Sequence, residues 1–163
     1  MESRVSIRGM AAADWPAVRE IWEQGIRSGQ ATFETEPPAW DEFDASRHPG
    51  ELRLVAEVDG TVAGWAAVSP VSQRGCYAGV GDHSVYVAEH LRGQGIGKAL
   101  MRALLANAET GGLWTIQTSI FPENAASIAL HERVGFRVVG RRERIAELDG
   151  VWRDTLFLEL RLP

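Results

Sequence analysis

One segment constrains this chain more than any other: Val85-Tyr86-Val87-Ala88-Glu89-His90-Leu91-Arg92-Gly93-Gln94-Gly95-Ile96-Gly97-Lys98. The apolar run at Val85–Val87 reads as a strand. Ile96, Leu100, Leu104 and Ala108 recur at four-residue steps and read as an amphipathic helix that starts inside a glycine-rich turn. Backbone N–H groups at a helix start have no helical partner, and the helix dipole adds partial positive charge there. Glycines let a phosphate approach those donors without a Cβ in the way. A diphosphate-bearing ligand is therefore the expectation, and spacing excludes two common ways of holding one. A Walker loop needs glycine where Arg92 stands and Ser or Thr where Ala99 stands. A dinucleotide fingerprint needs its third glycine where Lys98 stands, and it normally follows the first strand of its unit.

The rest of the chain supplies an α/β framework around that turn. Val5–Arg8 alternates as a strand, and Asp14 with Pro16 marks a helix start whose apolar stripe is Trp15, Val18, Trp22 and Ile26. A Pro-broken loop follows, then a short helix over Trp40–Arg47. Leu52–Val58 and Thr61–Ser69 read as strands joined by Asp59-Gly60, a hairpin signal because both turn residues must accept positive φ. Further strands are expected at Val80–Val87, Trp114–Ile120 and Phe136–Arg144, with a helix at Asn124–Val134. A second Asp-Gly hairpin, Asp149-Gly150, leads into Trp152–Leu160. No repeat or linker interrupts the pattern, so one mixed α/β domain over residues 1–163 is expected.

Composition narrows the class of partner. The chain has 163 residues, 17 Lys+Arg against 22 Asp+Glu, and a net charge of −5, which argues against nucleic acid as a partner. No apolar run approaches the roughly 20 residues of a membrane helix. The start of the chain lacks the pattern of a signal peptide, so a cytoplasmic protein is expected. Cys76 stands alone, and His48, His83, His90 and His131 show no short ligand spacing, so no metal is expected. Six Trp against two Tyr is unusual. Trp15, Trp22, Trp65 and Trp114 are expected in the core, and Trp40 and Trp152 at a pocket or subunit contact.

Arg92-x-x-Gly95-x-Gly97 after a Val-Tyr-Val strand resembles the acyl-CoA pyrophosphate loop of the GNAT superfamily of N-acetyltransferases. The order of elements resembles that family's fold, a mostly antiparallel mixed sheet flanked by helices. The resemblance implies acetyl-CoA as co-substrate, held by Val85, Tyr86, Val87, Arg92, Gly93, Gln94, Gly95, Ile96, Gly97, Lys98 and Asn124. Asn124 also suits a helix N-cap, and the two roles are compatible.

Asp82-His83-Ser84-Val85-Tyr86-Val87, the helix ending His131-Glu132-Arg133-Val134-Gly135-Phe136, the Ala31–Thr35 loop and Gly150-Val151-Trp152-Arg153-Asp154 are similar to the phosphinothricin and methionine sulfoximine acetyltransferase branch. By that resemblance Asp82 is the general base, directly or through a water; the leaving thiolate needs a proton, and His131 is assigned to supply it, with a packing histidine as the alternative. The branch usually carries Glu at position 82, one methylene longer. Asp82, Ser84 and Tyr86 share one face of an extended strand, and His83, Val85 and Val87 the other. Phe33, Glu34, Arg74 and Tyr77 are implied for the amine substrate, and the assembly is implied to be a homodimer. The implied reaction is acetyl transfer to the α-amine of a small amino-acid analogue. Another small amine, a peptide N-terminus, or acyl-CoA sensing without catalysis are the alternatives.

Overall fold

The computed structural model describes residues 4–163. Strand β1 (Val5–Gly9) leads to helices α1 (Trp15–Ser28) and α2 (Trp40–Ser46), then strands β2 (Arg53–Val58), β3 (Thr61–Pro70) and β4 (Val80–Val87). Helix α3 (Ile96–Thr110), strand β5 (Thr115–Ile120), helix α4 (Ala125–Arg133) and the hairpin β6 (Arg137–Leu148) and β7 (Val151–Arg161) complete the order. Both Asp-Gly pairs turn as expected, with positive φ at Asp59, Gly60, Asp149 and Gly150.

Among the described residues the strands form one sheet in the order β1-β2-β3-β4-β5-β7-β6. Every neighbouring pair is antiparallel except β4 and β5. Helix α3 packs on one face, where Ile96, Leu100, Leu104 and Ala108 meet Ala66, Val68, Ile116 and Leu158. Helices α1 and α2 cover the other face with Val18, Ile21, Trp22 and Phe43 against Val55, Trp65 and Ala67. This is the mixed, mostly antiparallel sheet flanked by helices that the sequence leads one to expect.

The parallel pair is the irregular part. Only Val80, Gly81 and Asp82 pair with Thr115, Ile116 and Gln117, after which the two strands diverge. Ala88 donates its N–H to Ala63 O at 2.7 Å, so the antiparallel alternation turns the amides of Val85 and Val87 away from β3. They face the gap left by β5.

Some local expectations change. Asp14 does not cap α1: its carboxylate takes two bonds from the Arg8 guanidinium (2.8 and 2.7 Å) and one from Ala11 N–H (2.8 Å). A neighbouring guanidinium outcompetes the helix amides for it. Trp114 is 37% exposed and precedes β5, lying against Gly79 where any Cβ would collide with its ring. Strand β6 runs past the expected end at Arg144 because register shifts at Val138/Gly140 and Arg142/Ala146, with Arg144 at φ 49°, hide its alternation in the sequence. Trp15 and Trp40 are partly buried in an aromatic cluster with Trp22, Phe43 and Trp65, while Trp152 is 50% exposed.

Candidate active site

A cavity of about 320 Å³ opens where β4 and β5 part. Residues 82–86 form one wall and 118–121 the other. Residues 30–34 cover it, and Asn124 with Ser127 and His131 of α4 close one side. The volume suits a small ligand.

Asp82 stands at the closed end. It is largely buried, and burial raises its pKa above the ordinary carboxylate range. Gln117, its partner across the parallel pair, donates from Nε2 to Asp82 Oδ2 at 3.4 Å, and the charges of Arg47 and Arg142 also favour the carboxylate. A carboxyl whose pKa burial raises, beside cations that oppose the shift, is a candidate for proton transfer.

Tyr86 also lines the cavity, stacked on Trp65 at 5.0 Å between centroids. Its phenol is held protonated by burial first and by the nearby Glu34 charge second. Gly25, inside α1, has a packing reason: a Cβ there would sit 2.6 Å from the Tyr86 ring. The helix accepts a glycine, at a cost of about 1 kcal/mol, to let the tyrosine close.

At the open end, Gly93 (φ 80°) and Gly95 (φ 85°) take left-handed conformations that turn the chain into α3. The first helical bond is Ala99 N–H to Gly95 O, so the amides of Ile96, Gly97 and Lys98 lack helical partners. No acidic residue lies in that first turn. The Ile96 side chain is buried in the core, leaving only its backbone for a ligand. A Cβ on Gly97 would lie 3.2 Å from Leu130 of α4 and 3.5 Å from Val87, so the turn sits at the Val87 end of the gap. Arg92, Gly93, Gln94 and Gly95 are exposed, and Lys98 is partly so. This cradle fits a diphosphate, and the free Val85 and Val87 amides fit an extended arm running from it into the cavity.

Asn124 caps α4 by accepting from Ser127 N–H at 3.2 Å, and its Nδ2 donates to Gln30 O at 3.1 Å. Arg153 holds the same loop from β7, donating to Gly29 O and Gln30 Oε1, each at 3.1 Å. The loop thus places Phe33, edge-on to Phe121 at 4.9 Å, and Glu34 on the cavity. Arg74 and Tyr77 do not line it; Arg74 stacks on the exposed Tyr77 ring in the loop between β3 and β4.

His83 and His131 are buried and meet at 3.0 Å between Nε2 atoms. His131 Nδ1 lies 2.6 Å from Ser127 O, which makes that nitrogen the protonated one. His131 Nε2 then accepts from His83 Nε2–H. His83 Nδ1 is buried without a closed hydrogen bond. Burial lowers the pKa of both rings, with His131 adding to the effect on His83. Both are neutral near pH 7, and neither turns an N–H into the cavity. No third His, Cys, Asp or Glu joins them in a metal-binding group among the described residues.

Sequence reasoning missed Arg47, Gln117, Arg153 and the pairing of His83 with His131. None carries a local signal, because each acts on a residue at least 35 positions away or on a charge field.

The model of the acetyltransferase (GNAT) family matches residues 15–136. The chain belongs to the GNAT acetyltransferase family. An L-methionine sulfoximine/L-methionine sulfone acetyltransferase of Pseudomonas paraeruginosa (strain DSM 24068 / PA7) is 34% identical over 164 residues, covering 96% of this chain and 94% of that protein. A phosphinothricin N-acetyltransferase of Alcaligenes faecalis is 32% identical over 160 residues, covering 94% and 81%. The fold superposes on YncA of Salmonella typhimurium, solved with its cofactor acetyl-CoA, with a TM-score of 0.88, 28% identity and 99% and 95% coverage. Within this GNAT enzyme the cradle and the gap occupy the stretch on which the resemblance rested. Among the described residues no helix is long and apolar enough to cross a membrane.

Proposed function

We propose that this enzyme transfers the acetyl group of acetyl-CoA to the α-amine of a small amino-acid analogue of the methionine sulfoximine or phosphinothricin type. The observation that carries this reading is the single cavity wall of β4. Asp82 stands at one end, unpaired backbone amides at Val85 and Val87, and the glycine cradle beyond. The names of the relatives at 34% and 32% identity support the choice of amine.

Acetyl-CoA supplies an acetyl thioester when bound. The amides of Ile96, Gly97 and Lys98 receive its diphosphate, with Arg92, Gly93, Gln94, Gly95 and Asn124 around the arm. The Val85 and Val87 amides orient the thioester and draw charge onto its carbonyl oxygen. Asp82 removes the proton from the attacking ammonium, directly or through one water. The N–C bond forms, the C–S bond breaks, and the sulfur leaves as thiolate. Thiols ionise near pH 8.5, so this leaving group can take its proton from solvent. His131 becomes a positioning residue, not the acid assigned to it from sequence: its Nδ1–H is bonded to Ser127 O and its Nε2 to His83. Phe33 and Glu34 border the amine, and Arg74 and Tyr77 belong to the outer rim.

Exposed Val138, Val139, Ile145, Val151 and Trp152 all lie on the β6–β7 hairpin and support a homodimer through that face. The absence of a membrane-crossing helix among the described residues fits a cytoplasmic enzyme. Thiol release from acetyl-CoA, measured against a panel of amines, tests the reaction. Turnover strongest with methionine sulfoximine or phosphinothricin supports it. Preference for a peptide N-terminus moves the substrate class, and acetyl-CoA binding without turnover makes the protein a sensor.

A further inference from the structure

Arginines with partly buried side chains in this molecule are matched to carboxylates. Arg53 meets Asp44, and Arg153 meets Glu123. Arg47 is the exception. Its guanidinium lies over the rings of Phe43 (5.0 Å) and Trp22 (5.8 Å), and burial lowers its pKa, yet it forms no ion pair among the described residues. One N–H goes to Ser46 Oγ at 2.8 Å, and its backbone is pinned by Phe43 O and by Arg53. Asp82, Glu34 and Tyr86 lie within electrostatic reach without touching it. A desolvated cation with unused donors is costly to keep unless something anionic completes it.

Position indicates what that is. Arg47 stands on the α1–α2 face of the sheet, the face to which Asp82 and Tyr86 turn. The buried Trp22 indole lines the cavity on the same side, its N–H near the Tyr86 hydroxyl without closing a hydrogen bond. Glu34 lines both the cavity and the adjoining groove that Arg47 borders, so the two spaces are neighbours. An α-amino acid carries its ammonium and carboxylate on one carbon. Its recognition needs a base and a cation facing each other across a gap wider than a salt bridge. Asp82 on the cavity and Arg47 on the adjoining groove lie within electrostatic reach of each other and form no ion pair among the described residues.

We propose that Arg47 anchors the α-carboxylate of the amine substrate, through charge-assisted hydrogen bonds, while Asp82 receives its ammonium. The inference rests on the amino-acid substrate proposed above and deepens it. Arg74, exposed and stacked on Tyr77, is not the anchor. In the free enzyme Arg47 keeps its distance from Asp82 and so leaves the base available. In the complex the substrate carboxylate completes the guanidinium.

The experiment compares each amino-acid substrate with its neutral α-carboxamide, in the parent and in Arg47→Gln, Arg47→Met and Arg47→Lys. Losing a charge-assisted bond of this kind corresponds to roughly 10- to 100-fold. We expect Arg47→Gln and Arg47→Met to lose that factor in kcat/KM, mostly as KM, for the carboxylate substrate. The carboxamide should lose much less, since it feels only the weaker effect of the Arg47 charge on Asp82, and the KM for acetyl-CoA should not change. Arg47→Lys should recover part of the loss, because the charge returns without the planar fork. An unchanged acetyl-CoA KM also certifies that each variant is folded. Equal losses on carboxylate and carboxamide, with a shifted pH profile, overturn the proposal and make Arg47 a counter-ion to Asp82. Should the parent itself acetylate amines but no amino acid, the proposed function falls, and the anchor with it.

Discussion

The two ends of the β4–β5 gap are made in opposite ways. The Val87 end offers backbone: strand-edge amides and the uncapped start of α3, all within one contiguous stretch. The Asp82 end is built from side chains that come from far apart in the chain: Phe33 and Glu34 line it from a loop clamped by Asn124 and Arg153, while Gln117 from β5 and the charge of Arg47 from beyond α2 act on Asp82. Backbone donors are present whatever side chains surround them, so the first end tolerates change and serves a common co-substrate. The second depends on a few atoms, so single substitutions there should alter which amine is used and how fast.

The hardest test of that contrast is Asp82→Asn. Removing a general base costs about 10²–10⁴ in rate, and we expect that loss in kcat with little change in the KM for acetyl-CoA. A kcat within tenfold of the parent would sink the assignment. In the parent, kcat/KM should rise with pH through a limb above the ordinary Asp value of about 3.9, because burial raises this pKa. The same shift carries a stability sign. The ionised form is disfavoured on folding, so its cost is absent below the unfolded pKa and grows as pH rises through the folded one. Asp82→Asn should therefore melt higher than the parent at neutral pH and no higher near pH 3.

A smaller effect is expected from Gly97→Asp at the backbone end. It places a carboxylate at a helix start built for an anion and a Cβ against Leu130. The KM for acetyl-CoA should rise by about tenfold or more, roughly 1.4 kcal/mol, with the KM for the amine nearly unchanged. A rise in both would mean that the ends are not separable. Smallest is Asn124→Ala, which removes the α4 cap and the tether to Gln30. The cap is worth about 1 kcal/mol, equivalent to roughly 2–4 °C in Tm for a chain of this size. Because the tether holds the loop bearing Phe33 and Glu34, the amine KM should drift upward by more than the acetyl-CoA KM.

Much of the fold was legible because its signals are local. The four-residue steps of α3, the Asp-Gly turns and the alternation in β4 each arise from neighbours along the chain, and the structure places those elements within a residue or two. Asp14 misled because its partner is Arg8, a choice between two donors that spacing cannot rank. Trp114 misled because a strand position does not say which rings find cover. The surplus of tryptophan turns out to be mostly one cluster: Trp15, Trp22, Trp40 and Trp65 with Phe43 and Tyr86, the floor under Arg47.

By itself the sequence determined the helix-start cradle, and with it the class of ligand, because backbone amides and glycine φ angles are properties of a contiguous stretch. The tertiary structure alone decided that Asp82 is partly buried beside Gln117, that His131 is engaged by His83, and that Arg47 rather than Arg74 lies within electrostatic reach of Asp82. Burial and charge fields depend on distances in space, and strands that part after three paired residues set those distances.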